Sequence, residues 1–117
     1  MTAMLAQAIL FAKDIRRLAA FYENALELAR NPERSDDTWV ELGAGSAALA
    51  LHAIPADIAQ RIQIAEPPVP REETAIKLVF RVPDVAAART RVVEHGGFTV
   101  NAHDAVDPEG NVFRLIG

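Results

Sequence analysis

The sequence contains no cysteine, and this absence excludes two kinds of structure. Neither disulfide bonds nor thiolate zinc sites can form, and the lack of both fits a reducing compartment. Basic residues are also scarce, because 12 Lys and Arg stand against 16 Asp and Glu, for a formal net charge of −4. Such a chain offers no broad positive surface to a phosphate backbone, so nucleic acid is not an expected partner.

The N-terminal apolar run, residues 3–12, contains Gln7, has no basic segment before it and is too short to span a bilayer. We therefore expect no membrane partner and a soluble, cytoplasmic protein. The length of 117 residues, with 50% apolar and 24% charged residues, predicts a single domain over residues 1–117.

The sequence does contain a repeated pattern. An apolar segment at 5–12 is followed by Asp14, a good helix N-cap, and then by apolar residues at helical spacing. A second strand-like segment at 74–82 is followed by Asp84 and another amphipathic helix, which Gly96 ends. The two aspartates are 84 − 14 = 70 residues apart. This offset indicates a duplicated strand-helix-strands unit.

Further strands are expected where apolar and polar residues alternate, at 38–42, 46–53, 98–102 and 111–116. The fold class is therefore α+β, with module one at about 1–54, a proline-rich linker at about 55–73 and module two at about 74–117. Two such modules, with helices on the convex side, would leave concave sheets forming a cleft. Module two should be shortened, because too few residues separate Val100 from Asp107 for full strands, and one strand should be stunted or missing.

These segments resemble a known family. Phe21-Tyr22-Glu-Asn-Ala-Leu26, the matching half from Ile76 to Gly97 and the ending Asp107-Pro-Glu-Gly-Asn-Val-Phe-Arg-Leu115 are similar to the vicinal oxygen chelate superfamily. Its members include glyoxalase I, bleomycin-resistance proteins, fosfomycin-resistance enzymes and extradiol dioxygenases. The resemblance implies paired βαβββ modules and a homodimer, with the cleft formed within or between chains.

The resemblance also implies where a divalent metal would be bound. Its ligands come from the first and last strand of each module, at positions that correspond here to Gln7, Lys77, Arg114 and a residue near Ala50. Lysine and arginine are cationic at neutral pH, and arginine has no lone pair to donate. We therefore expect no metal and no other cofactor at these positions.

Strand alternation predicts which side chains face the cleft. The expected ligand-binding residues are Gln7, Phe11, Trp39, Glu41, His52, Lys77, Arg81 and Arg114. Trp39 could equally fill the core, and Glu41, Lys77 and Arg114 could simply neutralise one another. His52 is more often a hydrogen-bonded bystander than a general base or ligand.

Three functions remain open. The first is a metal-free protein, like the bleomycin-resistance proteins, that binds a small anionic or aromatic molecule. The alternative is a metal-dependent lyase or isomerase of glyoxalase type, in which a metal polarises a carbonyl. The third is an accessory domain that associates through an edge strand exposed by the shortened module. The sequence does not establish that a reaction occurs.

Overall fold

The computed structural model describes residues 1–117 and contains eight strands and three α-helices in two repeated units. In chain order the elements are β1 (Gln7–Ala12), α1 (Ile15–Ala25), β2 (Ala29–Arg30), a 3-10 turn (Pro32–Arg34), β3 (Trp39–Ala44), β4 (Ala47–Ala53), α2 (Ala56–Ala59), β5 (Leu78–Arg81), α3 (Val85–Glu94), β6 (Phe98–Thr99), β7 (Asp104–Val106) and β8 (Val112–Ile116). None of the helices has both the length and the apolar character needed to cross a membrane.

Both long helices begin as the sequence predicts. The Asp14 carboxylate accepts a hydrogen bond from the Arg17 amide at 3.2 Å, and the Asp84 carboxylate accepts one from the Ala87 amide at 3.0 Å. Each cap satisfies an amide of the first turn that has no partner inside the helix.

The strands form two four-stranded mixed sheets that repeat one topology. Sheet one has the order β1-β4-β3-β2 and sheet two the order β5-β8-β7-β6; in each, the first strand runs parallel to the last strand of its module. The register repeats as well: Ile9 pairs with Ala50 and, 70 residues later, Val79 pairs with Arg114. The prediction of an α+β fold with two βαβββ modules is confirmed, and the two sheets do not close on one another.

Module two is shortened, but none of its strands is missing. Strand β6 has two residues and β7 has three, against six in β3 and seven in β4. The predicted strand at 98–102 was too long, because Asn101 starts a turn in which its side-chain oxygen accepts from the amides of His103 and Asp104. The strand predicted at 74–82 is also shorter and begins only at Leu78.

One hydrophobic core joins the modules through α1. Phe21 and Tyr22 of this helix pack against Phe113 of β8, with ring centroids 6.1 and 6.0 Å apart, and Tyr22 also packs against Phe80 of β5. The core-facing residues of β3 and β4 belong to the same cluster. Because the inner faces of both sheets are used in this way, their outer faces carry the side chains left for binding.

The turn at 107–110 fastens module two to the start of α1. The buried Asp107 accepts from the Tyr22 hydroxyl at 2.7 Å, and Glu109 accepts from the amides of Lys13 and Asp14, both at 2.8 Å. Gly110 has φ 88°, and a Cβ there would overlap the Val69 carbonyl oxygen. The acidic residues of this motif therefore serve the packing of the fold.

Candidate functional site

The outer face of sheet one carries a row of three rings. Phe11, His52 and Trp39 lie at the same level of β1, β4 and β3, because His52 pairs with both of the others. The His52 ring centroid is 5.7 Å from that of Phe11 and 5.5 Å from that of Trp39. The Phe11 side chain is largely exposed, at 62%. This row offers a surface on which a planar or apolar ligand can pack.

Two further predicted residues share this face. Glu41 lies one level below the rings, opposite Ala50, where its carboxylate accepts from the Asn31 side-chain amide at 3.1 Å and lies 4.0 Å from the Arg34 guanidinium. Gln7 lies at the start of β1, beside a cavity of about 690 Å³ between the modules. That cavity is mainly apolar and also touches Ile9 and Phe113, but it does not touch Lys77, Arg81 or Arg114.

The outer face of sheet two carries a charged cluster centred on Asp104. One carboxylate oxygen of Asp104 accepts from Arg114 Nε and the other from Lys77 Nζ, both at 2.9 Å. The Asp104 side chain is 8% exposed, whereas those of Arg114 and Lys77 are 42% and 43% exposed. The cluster thus consists of a buried anion that holds two half-exposed cations. We call Asp104, Lys77 and Arg114 the charged triad.

The charges of the triad are mutually stabilised. The hydrogen bond from Arg114 holds the pKa of Asp104 well below its ordinary value; burial opposes this, and bonds from Lys77 and Asn101 lower the pKa further. Asp104 in turn raises the pKa of Arg114. All three groups are therefore ionised at neutral pH, and the triad carries a net charge of 2 − 1 = +1.

This arrangement corrects the idea that Glu41, Lys77 and Arg114 neutralise one another. Glu41 lies on sheet one with Asn31 and Arg34, while the two cations pair with Asp104 on sheet two. Asp104 was missed in the sequence because its strand, β7, was not recognised. Its signal was available, since the turn at 107–110 places Asp104 opposite Arg114 across the hairpin.

Arg81 and Lys77 extend the outer face of sheet two in different ways. Arg81 ends β5, is exposed and donates to the Gly117 carbonyl. Lys77 lines a cavity of about 430 Å³ together with Arg71, Val100 and Val112. This cavity adjoins the apolar one at Gln7, since both are lined by Thr74, Ala75, Ile76 and Val112. No contact or hydrogen bond joins the predicted residues of sheet one to those of sheet two.

The donor set does not fit a divalent metal. The repeated register places Ala50 at the module-one position that corresponds to Arg114, and alanine offers no donor. Lys77 and Arg114 are cations that already share Asp104, which leaves Gln7 as the one neutral oxygen donor of the four positions. Nowhere in the structure do three or more His, Cys, Asp or Glu side chains gather in a way that could hold a metal ion.

The comparisons with known proteins agree with the fold. The family model described as Glyoxalase-like domain matches residues 7–116, so the chain belongs to the glyoxalase-like family within the vicinal oxygen chelate superfamily. No curated protein sequence matches the chain.

Solved structures of low sequence identity share the architecture. A glyoxalase/bleomycin resistance protein/dioxygenase family enzyme from Burkholderia phytofirmans PsJN superposes with a TM-score of 0.75 at 21% identity, with 97% of each chain covered. A glyoxalase-related enzyme from Fulvimarina pelagi gives 0.72 at 16% identity, covering 97% of this chain and 87% of the other. Lactoylglutathione lyase from Agrobacterium tumefaciens gives 0.62 at 20% identity, covering 97% and 92%. At these identities the likeness concerns the fold.

Proposed function

We propose that this protein binds a small anionic molecule, with an aromatic or other apolar body, through the outer faces of its sheets and without a metal. The observation that carries the proposal is the charged triad, in which two half-exposed cations are held on one buried carboxylate. Only Nε of Arg114 is used within the protein, so its two terminal nitrogens remain as donors for a ligand. A guanidinium matches a carboxylate in geometry and forms charge-assisted hydrogen bonds with it.

The row of Phe11, His52 and Trp39 supports the second half of the proposal, because exposed rings provide packing area for an apolar body. No specific observation favours the metal-dependent lyase or isomerase. That reaction needs a Lewis acid held by neutral or anionic donors, and the triad presents cations at two of the corresponding positions.

Isothermal titration calorimetry with 3-phenylpropionate, a simple aryl-alkyl monocarboxylate, tests the proposal. The wild-type protein is expected to bind it, and Arg114→Ala should weaken binding about tenfold or more, because a charge-assisted hydrogen bond is lost. Arg61→Ala is the matched control, since Arg61 is exposed and its side chain makes no hydrogen bond in the structure. It removes the same formal charge and should leave the affinity nearly unchanged. Equal weakening by both variants, or by neither, would refute the role of Arg114.

We also propose that two copies of the chain associate as a homodimer. Ile9, Phe11 and Val79 expose apolar side chains on the outer faces of the sheets, at 43%, 62% and 51%, and a second copy could cover them. Sedimentation equilibrium should show a dimer at micromolar concentration that Ile9→Glu weakens. Ile58→Glu on α2, where Ile58 is 48% exposed, should not weaken it. A wild-type monomer would contradict the proposal. The cytoplasmic location expected from the sequence stays a prediction.

A further inference from the structure

We infer that the triad selects singly charged anions over doubly charged ones, and that Asp104 is the positioning residue that sets this preference. The ligand class is a monocarboxylate attached to an apolar body. The inference rests on the proposed function and deepens it, since it says which anions the same site accepts. Asp104 acts through the two cations that it holds.

Asp104 controls how many donors the cations can offer. It occupies Nε of Arg114 and one hydrogen of Lys77 Nζ, which orients both groups on one side of the same carboxylate. What remains is the terminal pair of guanidinium nitrogens, together with the other hydrogens of the ammonium group. This remainder suits one carboxylate, which can accept a forked pair of hydrogen bonds.

Asp104 cannot easily leave the triad. Its backbone amide donates to the Asn101 side-chain oxygen at 2.9 Å, its carbonyl accepts from Val100 N at 2.9 Å, and the residue is buried. The carboxylate therefore stays in place when a ligand arrives. Because the triad's charge is +1, a monoanion brings the local charge to zero, whereas a dianion brings it to −1 beside a buried carboxylate.

The other charges near the triad do not change this arithmetic. Arg71 and Glu72 line the adjoining cavity with opposite charges, and the Arg81 guanidinium is engaged by the Gly117 carbonyl. The residues that flank Arg114 on the outer face are apolar: Val112 and Ile116 on its own strand, and Val79 beside it on β5. This surface suits an apolar body attached to a single carboxylate, and it offers no partner to a second one.

The first test compares three ligands that share one carbon skeleton, by calorimetry at pH 7.5 and constant ionic strength. They are 3-phenylpropionate, benzylmalonate, which adds one carboxylate, and the neutral 3-phenylpropanamide. The wild-type protein should bind the monoanion about five to ten times more tightly than either of the others. Equal or tighter binding of benzylmalonate, with Arg114→Ala still weakening all anion binding, would overturn the inference while leaving the proposed function intact. Loss of all anion binding would remove both.

The second test changes the charge of the triad. Asp104→Asn keeps the shape and one acceptor but raises the net charge from +1 to +2, and should shift the ratio of the two anion affinities about tenfold towards benzylmalonate. Lys77→Gln lowers the charge to zero without altering the buried residue, so it remains informative if Asp104→Asn folds poorly. It should weaken 3-phenylpropionate and leave benzylmalonate the poorer ligand. A purely structural role for Asp104 would change all affinities together, and an unchanged ratio in a folded Asp104→Asn protein would refute the inference.

Discussion

Asp104 shows what sequence reasoning needs at the scale of single residues. The sequence correctly marked Lys77 and Arg114 as cations on an outer sheet face, but the carboxylate that brings them together was not among the expected residues. Counting back from the turn would have found it, because the hairpin pairs Val112 with Val106 and therefore Arg114 with Asp104. A charged residue directly opposite another across a hairpin is a candidate partner even when its strand is short.

Asp107 and Glu109 illustrate the opposite case. Both belong to the turn that made the sequence recognisable, yet both are buried and bind other parts of the protein. Burial raises the pKa of Asp107 even though four hydrogen bonds, including that from the Tyr22 hydroxyl, favour its charged form. Glu109 stabilises the amides between β1 and α1. The distant partner of each carboxylate depends on how the modules pack, which local sequence does not specify.

At the scale of elements, the long segments were predictable and the short ones were not. Capping aspartates and helical spacing located α1 and α3 because these signals lie within a few residues of each other. Strands β2 and β6 have two residues each, too few for alternation to be visible. They exist because a neighbouring strand supplies their hydrogen bonds, and this is information about the tertiary structure.

The turn between α3 and β6 offers a direct test of this packing. A Cβ at Gly97 would overlap the Val106 carbonyl oxygen of β7 and lie 2.9 Å from Phe21 Cε1 and 3.0 Å from Val92 Cγ1. Gly97→Ala should therefore lower the free energy of unfolding by about 1–3 kcal/mol, because the backbone of β7 must move or the helices must separate. Urea denaturation followed by circular dichroism measures this.

Gly43→Ala is the matched control for this prediction. Gly43 lies in β3, and a Cβ there would meet nothing closer than the Ala29 carbonyl oxygen at 3.7 Å, an ordinary contact. Its effect should stay within about 0.5 kcal/mol. If the two variants are equally stable, the close packing of β6 and β7 against α1 and α3 is not as described.

At the scale of the whole molecule, the duplication was the most informative feature of the sequence. The offset of 70 residues between the helix caps reappears in the strand register, which explains why the α+β fold and the two modules could be predicted. How the outer faces lie relative to each other could not be predicted in the same way. Strand alternation tells which face a side chain occupies but carries no information about the angle between two sheets.

The predicted site divides accordingly into two groups. Gln7, Phe11, Trp39, Glu41 and His52 share the outer face of sheet one, and Lys77, Arg81 and Arg114 belong to sheet two. Adjoining cavities at Thr74–Ile76 lie between Gln7 and Lys77. A ligand held by the triad can therefore extend its apolar body towards the 690 Å³ cavity, and the proposed dimer would add a second pair of faces.

The most direct test of the central claim is a crystal structure of the protein with 3-phenylpropionate, grown without chelator and with nickel and zinc available in equal amounts. We predict density for the carboxylate within hydrogen-bonding distance of the terminal nitrogens of Arg114 and of Lys77 Nζ, with Asp104 still bridging the two cations. A divalent ion coordinated beside Gln7 and the triad, or a ligand bound elsewhere while both cations extend into bulk solvent, would contradict the account.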